Sequence, residues 1–430
     1  MLYLFIIKED YNMKIKVKNI SFQELEKIEA YKHKKPMRRS FLLALVIRLA
    51  SMLTLTNVRF KSKLINMDKL NKKEPCLILM NHSSFIDLKI ASKLLFPRKY
   101  NIICSDDGFV GKEFLMRFLG CVPTKKYLTD ATLVRDIMYC VKELKSSVLM
   151  YPEACYSMDG KATILPSSVG KCIKLLKIPV VMITTYGAYH RDPLYNNLQL
   201  RKVNVSATME YIISKEDIKE KSSEELMDIV NKHFSFDNYK WQQENKISVK
   251  ENFRSDYLNR VLYKCPHCLE ENMEGKGTRL TCKKCNNEYI LDEYGYLKNT
   301  KNETIFDSVP RWYNWEKECV KNEIEEDKYQ LDANVDIYAL KDLKCIYKLS
   351  NGQLKHDKNG FNLYSDNKLI YSQPVNHTYT LNSDLNWYEI GDVIGIGDND
   401  VRYYCVIKEK RDVVVKARLA TEELYKKNSL

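Results

Sequence analysis

The feature that most restricts the fold of this chain is a pair of CxxC motifs. Cys265 and Cys268 are separated by 13 residues from Cys282 and Cys285. Four thiolates at these offsets can surround one Zn²⁺ tetrahedrally and leave no position for water, which favours a structural role over a catalytic one. The spacing therefore predicts a zinc ribbon over residues 263–300, in which the metal substitutes for a core too small to fold alone. A nucleic-acid-binding ribbon and a redox dithiol pair are the alternatives.

Positive charge is concentrated at the N-terminal end of the 430-residue chain. The net charge is +13, and residues 1–63 contain 14 Lys and Arg against five Asp and Glu. A basic cluster over residues 32–39 precedes the apolar stretch from Phe41 to Leu55. At about 1.5 Å per residue this stretch is too short to cross a bilayer core about 30 Å thick. We therefore expect residues 1–60 to form basic, apolar helices in the membrane interface, with a buried core helix as the alternative.

The cysteine content and the N-terminal residues indicate the cellular compartment of the protein. The chain has 13 Cys, an odd number, and at least six of them are spaced like single core residues, which favours a reducing cytosol over a secreted disulfide framework. The start, MLYLFIIKED, lacks a basic region before its short apolar run, so we expect no signal peptide, and Met13 is an alternative start. Together with the basic end, this predicts a protein at the cytoplasmic face of the cell membrane, peripheral or interfacially anchored.

Residues 61–243 alternate between strand-like and helix-like runs. Strands are predicted at Cys76–Met80, Asn101–Cys104, Ser147–Tyr151 and Val180–Thr184, and helices at Leu88–Leu95, Thr132–Leu144 and Val169–Leu176. This alternation predicts an α/β domain with a sheet covered by helices on both faces.

The pattern changes after this domain. Residues 244–262 are predicted to be a connector to the ribbon, and residues 301–430 a β-rich C-terminal domain. The β assignment depends on short β runs separated by hairpin signals at Asn351-Gly352, Asn359-Gly360 and Asp366-Asn367. A short helix over 420–427 is expected to close this domain.

The candidate for catalysis is the segment Asn81-His82-Ser83-Ser84-Phe85-Ile86-Asp87, which directly follows a predicted strand. Strand ends are where open α/β sheets place their ligands. A neutral imidazole can take a proton from an alcohol, and a carboxylate one turn away can hold its tautomer. His82 is therefore a candidate general base with Asp87 as its partner; a core histidine with satisfied hydrogen bonds is the alternative.

Four segments, in order, resemble the sequence boxes of the glycerolipid acyltransferases, the family that contains bacterial 1-acyl-glycerol-3-phosphate acyltransferase. The segment from Asn81 to Asp87 looks like the family's NHx4D box, and residues 120–126 (GCVPTKK) are similar to its second box. Tyr151-Pro152-Glu153 stands where the family has F-P-E-G-T-R-S, and residues 178–181 (IPVV) resemble the fourth box. The resemblance covers about residues 60–215.

The resemblance implies an acyltransferase domain with a mixed sheet flanked by helices, and a chemistry for it. His82, held by Asp87, would act as general base while a lipid hydroxyl attacks an acyl thioester of coenzyme A or acyl carrier protein. Asn81 and Glu153 would bind substrate, although a helix cap is the alternative for Glu153. The family's default acceptor is 1-acyl-glycerol-3-phosphate, giving phosphatidate in phospholipid biosynthesis. Membrane lipids and acyl carrier protein are the expected partners, and no nucleic acid is expected.

Recognition of the acceptor's phosphate departs from the family pattern. Tyr156 stands where the third box has an Arg, and Lys126 where the second box closes with one. Lys125, Lys126 and Arg117 are predicted to bind the phosphate instead, with a solvated basic face as the alternative. Two other functions stay open. One is an acyltransferase with a different acceptor, and the other is a non-catalytic lipid-binding module with a recruiting ribbon.

Overall fold

The computed structural model of the chain describes residues 15–128, 130–408 and 412–429. The predictions for the first residues, namely the absent signal peptide and the alternative start at Met13, lie outside these ranges. Strand β1 (Val17–Asn19) comes first and pairs in parallel with a strand of the C-terminal domain. The sequence predicts only helices for residues 1–60. The structure differs at Val17–Asn19, because this segment extends the sheet of the C-terminal domain as a strand.

Two helices follow in the N-terminal region. Helix α1 (Phe22–Glu26) begins with a capping box between Ser21 and Glu24. Helix α2 (Phe41–Asn57) contains the apolar stretch, and its inner face packs on the domain that follows, where Lys89 Nζ donates to Thr54 Oγ1 at 2.8 Å. Within the described residues, no helix combines the length and apolar character needed to cross a bilayer.

The α/β domain contains a seven-stranded mixed sheet, which confirms the predicted fold class. Its strands are β2 (Lys61–Ile65), β3 (Leu77–Met80), β4 (Tyr100–Ser105), β5 (Cys121–Thr124), β6 (Ser147–Met150), β7 (Val180–Tyr186) and β8 (Ser206–Ile213). Their order in the sheet is β2-β8-β7-β3-β6-β4-β5, and all neighbours are parallel except β7 and β8. β3 is thus the central strand, with β6 and β7 on either side.

Helices cover the sheet because both of its faces are apolar. They are α3 (Ile86–Leu95), α4 (Glu113–Phe118), α5 (Ala131–Lys142), α6 (Ser168–Leu176), α7 (Ala188–Arg191), α8 (Lys215–Glu220), α9 (Ser223–His233) and α10 (Asn238–Glu244). In β3, Ile78 and Met80 join the core on one face, whereas Leu77 and Leu79 join the core on the other. A strand buried on both faces reads as a continuous apolar run rather than an alternating one, and β3 has the sequence LILM.

A four-stranded antiparallel sheet contains the CxxC motifs. Its strands are β9 (Met273–Lys276), β10 (Arg279–Cys282), β11 (Glu288–Leu291) and β12 (Leu297–Asn299), in the order β12-β11-β10-β9. The first CxxC motif precedes β9, and the second begins at the last residue of β10. This meander brings the two motifs together.

The C-terminal domain is β-rich, as predicted. It consists of α11 (Val309–Glu325), β13 (Leu331–Leu340), β14 (Ile346–Asp357), β15 (Gly360–Ser365), β16 (Lys368–Pro374), β17 (Asn382–Trp387), β18 (Gly391–Gly397), β19 (Arg402–Ile407) and α12 (Val413–Ser429). The sheet order is β16-β15-β14-β13-β19-β18-β17, with β1 added beside β14. Helix α11 was not predicted, and α12 is longer than the predicted residues 420–427.

One of the three predicted hairpin turns is wrong. The turns at Asn359-Gly360 and Asp366-Asn367 connect β14 to β15 and β15 to β16. Asn351-Gly352, however, lies inside β14, where Gly352 pairs with Val335. A Cβ at position 352 would overlap the Tyr364 carbonyl oxygen and lie 2.5 Å from Ile337 Cδ1. This glycine is needed for close packing between strands and not for a turn.

The C-terminal domain packs directly against the α/β domain. The Arg402 guanidinium forms a buried ion pair with the Asp106 carboxylate at 2.5 Å. Trp387 Nε1 donates to Asp107 Oδ2 at 3.3 Å. The loop between β13 and β14 inserts Leu343 into the core beside β3. These contacts make the C-terminal domain part of the wall around the β4–β5 end of the sheet.

Candidate active site

His82 and Asp87 meet at the carboxyl end of the central strand. β3 ends at Met80, and α3 begins at Ile86, so Asp87 lies in the first helical turn. His82 Nδ1 is 3.1 Å from Asp87 Oδ2. The same carboxylate oxygen accepts the backbone N–H groups of Ser83 and Ser84 at 2.7 and 3.0 Å. The five-residue spacing thus lets one buried carboxylate cap the turn and hold the imidazole.

This arrangement determines which nitrogen of the imidazole can act as a base. An ionised carboxylate only accepts hydrogen bonds, so the proton of the neutral ring lies on Nδ1, facing Asp87. Nε2 then presents its lone pair away from the carboxylate. Asp87 is fully buried, and Thr185 Oγ1 donates to its other oxygen at 3.4 Å. The pair therefore has the tautomer that proton abstraction at Nε2 requires.

Two tyrosines cover the faces of the His82 ring. The ring of Tyr151 stacks on it with centroids 4.0 Å apart, and the ring of Tyr156 lies at 4.2 Å. The His82 side chain is 21% exposed. Because both faces are covered, a substrate can approach the imidazole only at its edge. Tyr156 is the residue at the position where the family has an Arg, so an aromatic wall occupies the place expected for a cation.

Glu153 was predicted to bind substrate, but the structure gives both of its carboxylate oxygens protein partners. Oε2 accepts the backbone N–H of His82 at 2.9 Å, and Oε1 accepts the amide and hydroxyl of Thr163 at 3.3 and 3.1 Å. The side chain is 2% exposed. Burial raises the pKa of Glu153 to about 7, against the opposing effect of these hydrogen bonds. Glu153 thus positions His82, and it does not form an open binding group.

Asn81, also predicted to bind substrate, is turned inward. Its Oδ1 accepts the backbone N–H of Thr185 at 2.7 Å, and its Nδ2 donates to the Thr185 carbonyl at 3.2 Å. This pair of bonds joins the end of β3 to the end of β7, and Asn81 is fully buried. The residue therefore fixes the strand ends beside His82.

The basic residues expected to bind phosphate have protein partners elsewhere. Arg117 is buried; it donates to Glu113 Oε1 at 2.8 Å and to the Lys34 carbonyl at 3.0 Å. Lys125 Nζ donates to the Asn399 carbonyl at 2.5 Å. Partial burial raises the pKa of Asp384 to about 6, and the positive charge of Lys126 opposes this rise. In the described part of the chain, none of these three cations hydrogen-bonds to His82.

Sequence reasoning missed three groups that shape this site. Tyr151 follows β6 directly, and its place as the first residue of the third box was a visible signal. Thr185 lies at the end of β7, and only the pairing of β7 with β3 brings it to Asn81. Arg418, on α12, reaches Cys155 from 263 residues away. No local pattern could have indicated that contact.

The four predicted metal ligands also converge. The sulfur atoms of Cys265, Cys268, Cys282 and Cys285 all lie within 4.8 Å of one another. The Sγ atoms of Cys265 and Cys285 are 3.7 Å apart, and those of Cys268 and Cys282 are 3.5 Å apart. A tetrahedron with metal–sulfur bonds of about 2.3 Å has edges of about 3.8 Å. The cluster therefore fits one tetrahedral metal ion with four thiolate ligands.

Part of the chain is similar to a known protein family. Residues 61–185 match the family model Acyltransferase. This match supports an acyltransferase domain in that part of the chain, which begins at β2 and includes His82, Asp87 and Glu153. No curated protein gives a significant match.

One similar solved structure is the 1-acyl-sn-glycerophosphate (LPA) acyltransferase PlsC from Thermotoga maritima. It is 16% identical and aligns over 45% of this chain and 78% of that chain, with a TM-score of 0.35. A likeness of this size bears on neither the mechanism nor the substrate of the acyltransferase domain.

Proposed function

We propose that the protein transfers a fatty acyl group from an acyl thioester to the free hydroxyl of a lysoglycerolipid. The observation that carries this proposal is the His82–Asp87 pair at the end of β3, 3.1 Å apart, within the region that matches the Acyltransferase model. The first acceptor to consider is 1-acyl-glycerol-3-phosphate, with phosphatidate as the product in phospholipid biosynthesis. The donor is acyl-CoA or acyl carrier protein.

The geometry supports a single-displacement mechanism. His82 Nε2 takes the proton of the acceptor hydroxyl while its oxygen attacks the thioester carbonyl. The tetrahedral intermediate then collapses, the C–S bond breaks, and the leaving thiolate takes the proton back from the imidazolium. Asp87 stabilises the imidazolium through Nδ1. No covalent acyl-enzyme is needed, and the aromatic walls of Tyr151 and Tyr156 keep bulk water from the faces of the ring.

An acceptor without a tightly held phosphate is the second candidate. It is favoured by the tyrosine at position 156 and by the protein partners of Arg117 and Lys125. A non-catalytic lipid-binding module is the third candidate.

One assay separates the three candidates. Purified protein in detergent is given acyl-CoA or acyl carrier protein as donor. The acceptors are lysophosphatidate, lysophosphatidylcholine and a phosphate-free lyso-glycolipid, with His82→Ala beside each. We expect His82-dependent transfer to lysophosphatidate. Transfer only to another acceptor would favour the second candidate, and no transfer by folded protein would leave the binding module.

We also propose that α2 places the protein on the membrane surface. Leu42, Leu49 and Leu53 recur on one face of this helix and are 74%, 57% and 66% exposed. The exposed, stacked rings of Phe114 and Phe118 extend this surface, since the amide of Ser40 donates to the Phe118 carbonyl at 3.3 Å. The exposed basic side chains of residues 32–38 lie just before α2.

An apolar helix face beside basic side chains is suited to anionic lipid headgroups above acyl chains. We expect the protein to float with phosphatidylserine vesicles and Leu53→Glu to abolish flotation. Leu369→Glu is the matched control, because Leu369 is 55% exposed on the distant strand β16. Equal flotation of both variants would contradict this membrane surface.

For the cysteine cluster we propose zinc. The donor set of four thiolates at tetrahedral distances supports a structural ion without an open coordination position. Metal analysis by mass spectrometry tests it, with one zinc per chain as the expected result. Folded protein free of metal, or iron in place of zinc, would contradict the assignment.

A further inference from the structure

The C-terminal helix α12 reaches the segment that covers His82. Arg418, on this helix, donates from Nη1 to Cys155 Sγ at 3.1 Å. Arg418 is 3% exposed and Cys155 is 5% exposed. Burying a guanidinium is costly unless it is paired and hydrogen-bonded, so the partners of Arg418 show which parts of the molecule it connects.

The segment over residues 151–157, which we call the third-box turn, holds His82 through its backbone and side chains. The backbone N–H of Ser157 donates to the His82 carbonyl at 3.1 Å, and the carboxylate of Glu153 accepts the His82 N–H at 2.9 Å. The rings of Tyr151 and Tyr156 cover the imidazole. Any shift of this turn therefore moves the base.

Arg418 is held rigidly on its own side of the contact. Its Nε donates to Glu422 Oε1 at 3.3 Å, and the hydroxyl of Thr380 donates to the same oxygen at 2.7 Å. Two residues earlier on α12, Lys416 forms ion pairs with Glu271 of the ribbon at 2.6 Å and with Glu323 of α11 at 2.9 Å. The ribbon and α11 thus set the position from which Arg418 reaches the third-box turn.

We propose that Arg418 is a positioning residue of the His82 site, so that α12 completes the acyltransferase domain from outside it. This inference rests on the proposed acyl transfer. The guanidinium holds the Cys155 end of the third-box turn, and its positive charge favours the carboxylate form of Glu153. The ionised carboxylate holds the His82 backbone more firmly than the protonated acid does, because it is the stronger acceptor.

The groups around Glu153 set the direction of a pH effect. Within the α/β domain, the His82 N–H and Thr163 face its carboxylate, and the Tyr127 hydroxyl donates to its backbone carbonyl at 3.1 Å. From the C-terminal domain, Tyr379 and Arg418 act on it electrostatically. Arg418 is the cation among them. Without it, the pKa of Glu153 rises, and this moves the acid limb of the rate profile to higher pH.

The test compares Arg418→Gln, Arg418→Lys and Lys426→Gln. The last is a matched charge removal on the same helix, at a half-exposed lysine that pairs with Glu423. The parent protein is assayed first, so that a failure of the proposed function is seen before any variant. In Arg418→Gln we expect kcat to fall about 10–100-fold, since small misplacements of a base are costly. We expect KM to change less than about twofold, because Arg418 is buried and its side chain is not open to a substrate.

The pH dependence of kcat distinguishes a positioning role of Arg418 from a general loss of structure. We expect the acid limb of kcat to move up by about 0.5–1 pH unit in Arg418→Gln and to stay in place in Arg418→Lys and Lys426→Gln. If Arg418→Gln does not fold, Cys155→Ala removes the same contact from the other side and should lower kcat without moving the limb. Parent-like kcat and pH profile in Arg418→Gln, or parent-like kcat in Cys155→Ala, would overturn the inference.

Discussion

The His82 site and the cysteine ribbon differ in how far apart their residues lie in the sequence. The four Cys ligands lie within 21 residues and are brought together by one antiparallel meander. The His82 site needs the ends of three neighbouring strands, β3, β6 and β7, and a helix from the far end of the chain. The first arrangement depends on local spacing, and the second depends on sheet order. Equally clear motifs can therefore differ greatly in how much of the fold they require.

The largest effect is expected from breaking the ribbon. Cys265→Ser removes a buried thiolate ligand, and because metal binding and folding of such a site are coupled, the ribbon should lose its metal and several kcal/mol of stability. If the ribbon is a local unit, amide exchange should remain slow in β3 and β6 while it becomes fast in β9–β12. Loss of protection throughout the α/β sheet would show that the two regions do not differ as described.

The second effect concerns the base itself. His82→Ala should lower kcat by about 10²–10⁴-fold, the usual contribution of a general base. The fold should remain intact, because the backbone hydrogen bonds of residue 82 to Glu153 and Ser157 are kept. The measurement is initial rate of acyl transfer beside a melting curve. A fully active variant would exclude His82 as the base.

The third effect tests Glu153 as a buried group rather than a substrate ligand. Its pKa is raised from an ordinary 4.5 to about 7, so folding favours the protonated form. The stabilising contribution is complete below the ordinary pKa and is lost as pH rises from 4.5 to about 7. Gln is neutral throughout, so the stability of Glu153→Gln relative to the parent should rise between about pH 5 and about pH 8, by at most about 3 kcal/mol.

Denaturant unfolding at the two pH values measures this difference. A relative stability that stays constant, or that falls as pH rises, would contradict the raised pKa of Glu153.

The smallest effect on stability is expected at Gly352, whose role depends on tertiary contacts and not on its neighbours in the sequence. Gly352→Ala should destabilise the C-terminal domain by about 1–3 kcal/mol, because the added methyl overlaps Tyr364 and Ile337. Gly108→Ala is the control, since a Cβ there meets nothing within 4 Å, and its effect should be within about 0.5 kcal/mol. Equal stability of the two variants in denaturant unfolding would restore the turn interpretation of Asn351-Gly352.

Much of the architecture could be predicted from local patterns. The apolar run of β3, the capping box of α1 and the turns at residues 359–360 and 366–367 each follow from residues adjacent in the chain. The helix over Val309–Glu325 was missed because the hairpin signals, which begin only at Asn351, were applied to the whole of residues 301–430. Gly352 was misread because a glycine in a turn and a glycine under a neighbouring strand look the same in the sequence.

The sequence by itself determined which residues can do chemistry, namely the His82–Asp87 spacing and the four cysteines. Only the tertiary structure decided what surrounds them. It turned Asn81 and Glu153 inward, gave Arg117 and Lys125 other partners, and brought Tyr156 and Arg418 to the site. The physical reason is that a short spacing fixes the relative position of two side chains on one turn. Burial and charge pairing, in contrast, depend on segments that meet only when the sheets and helices have packed.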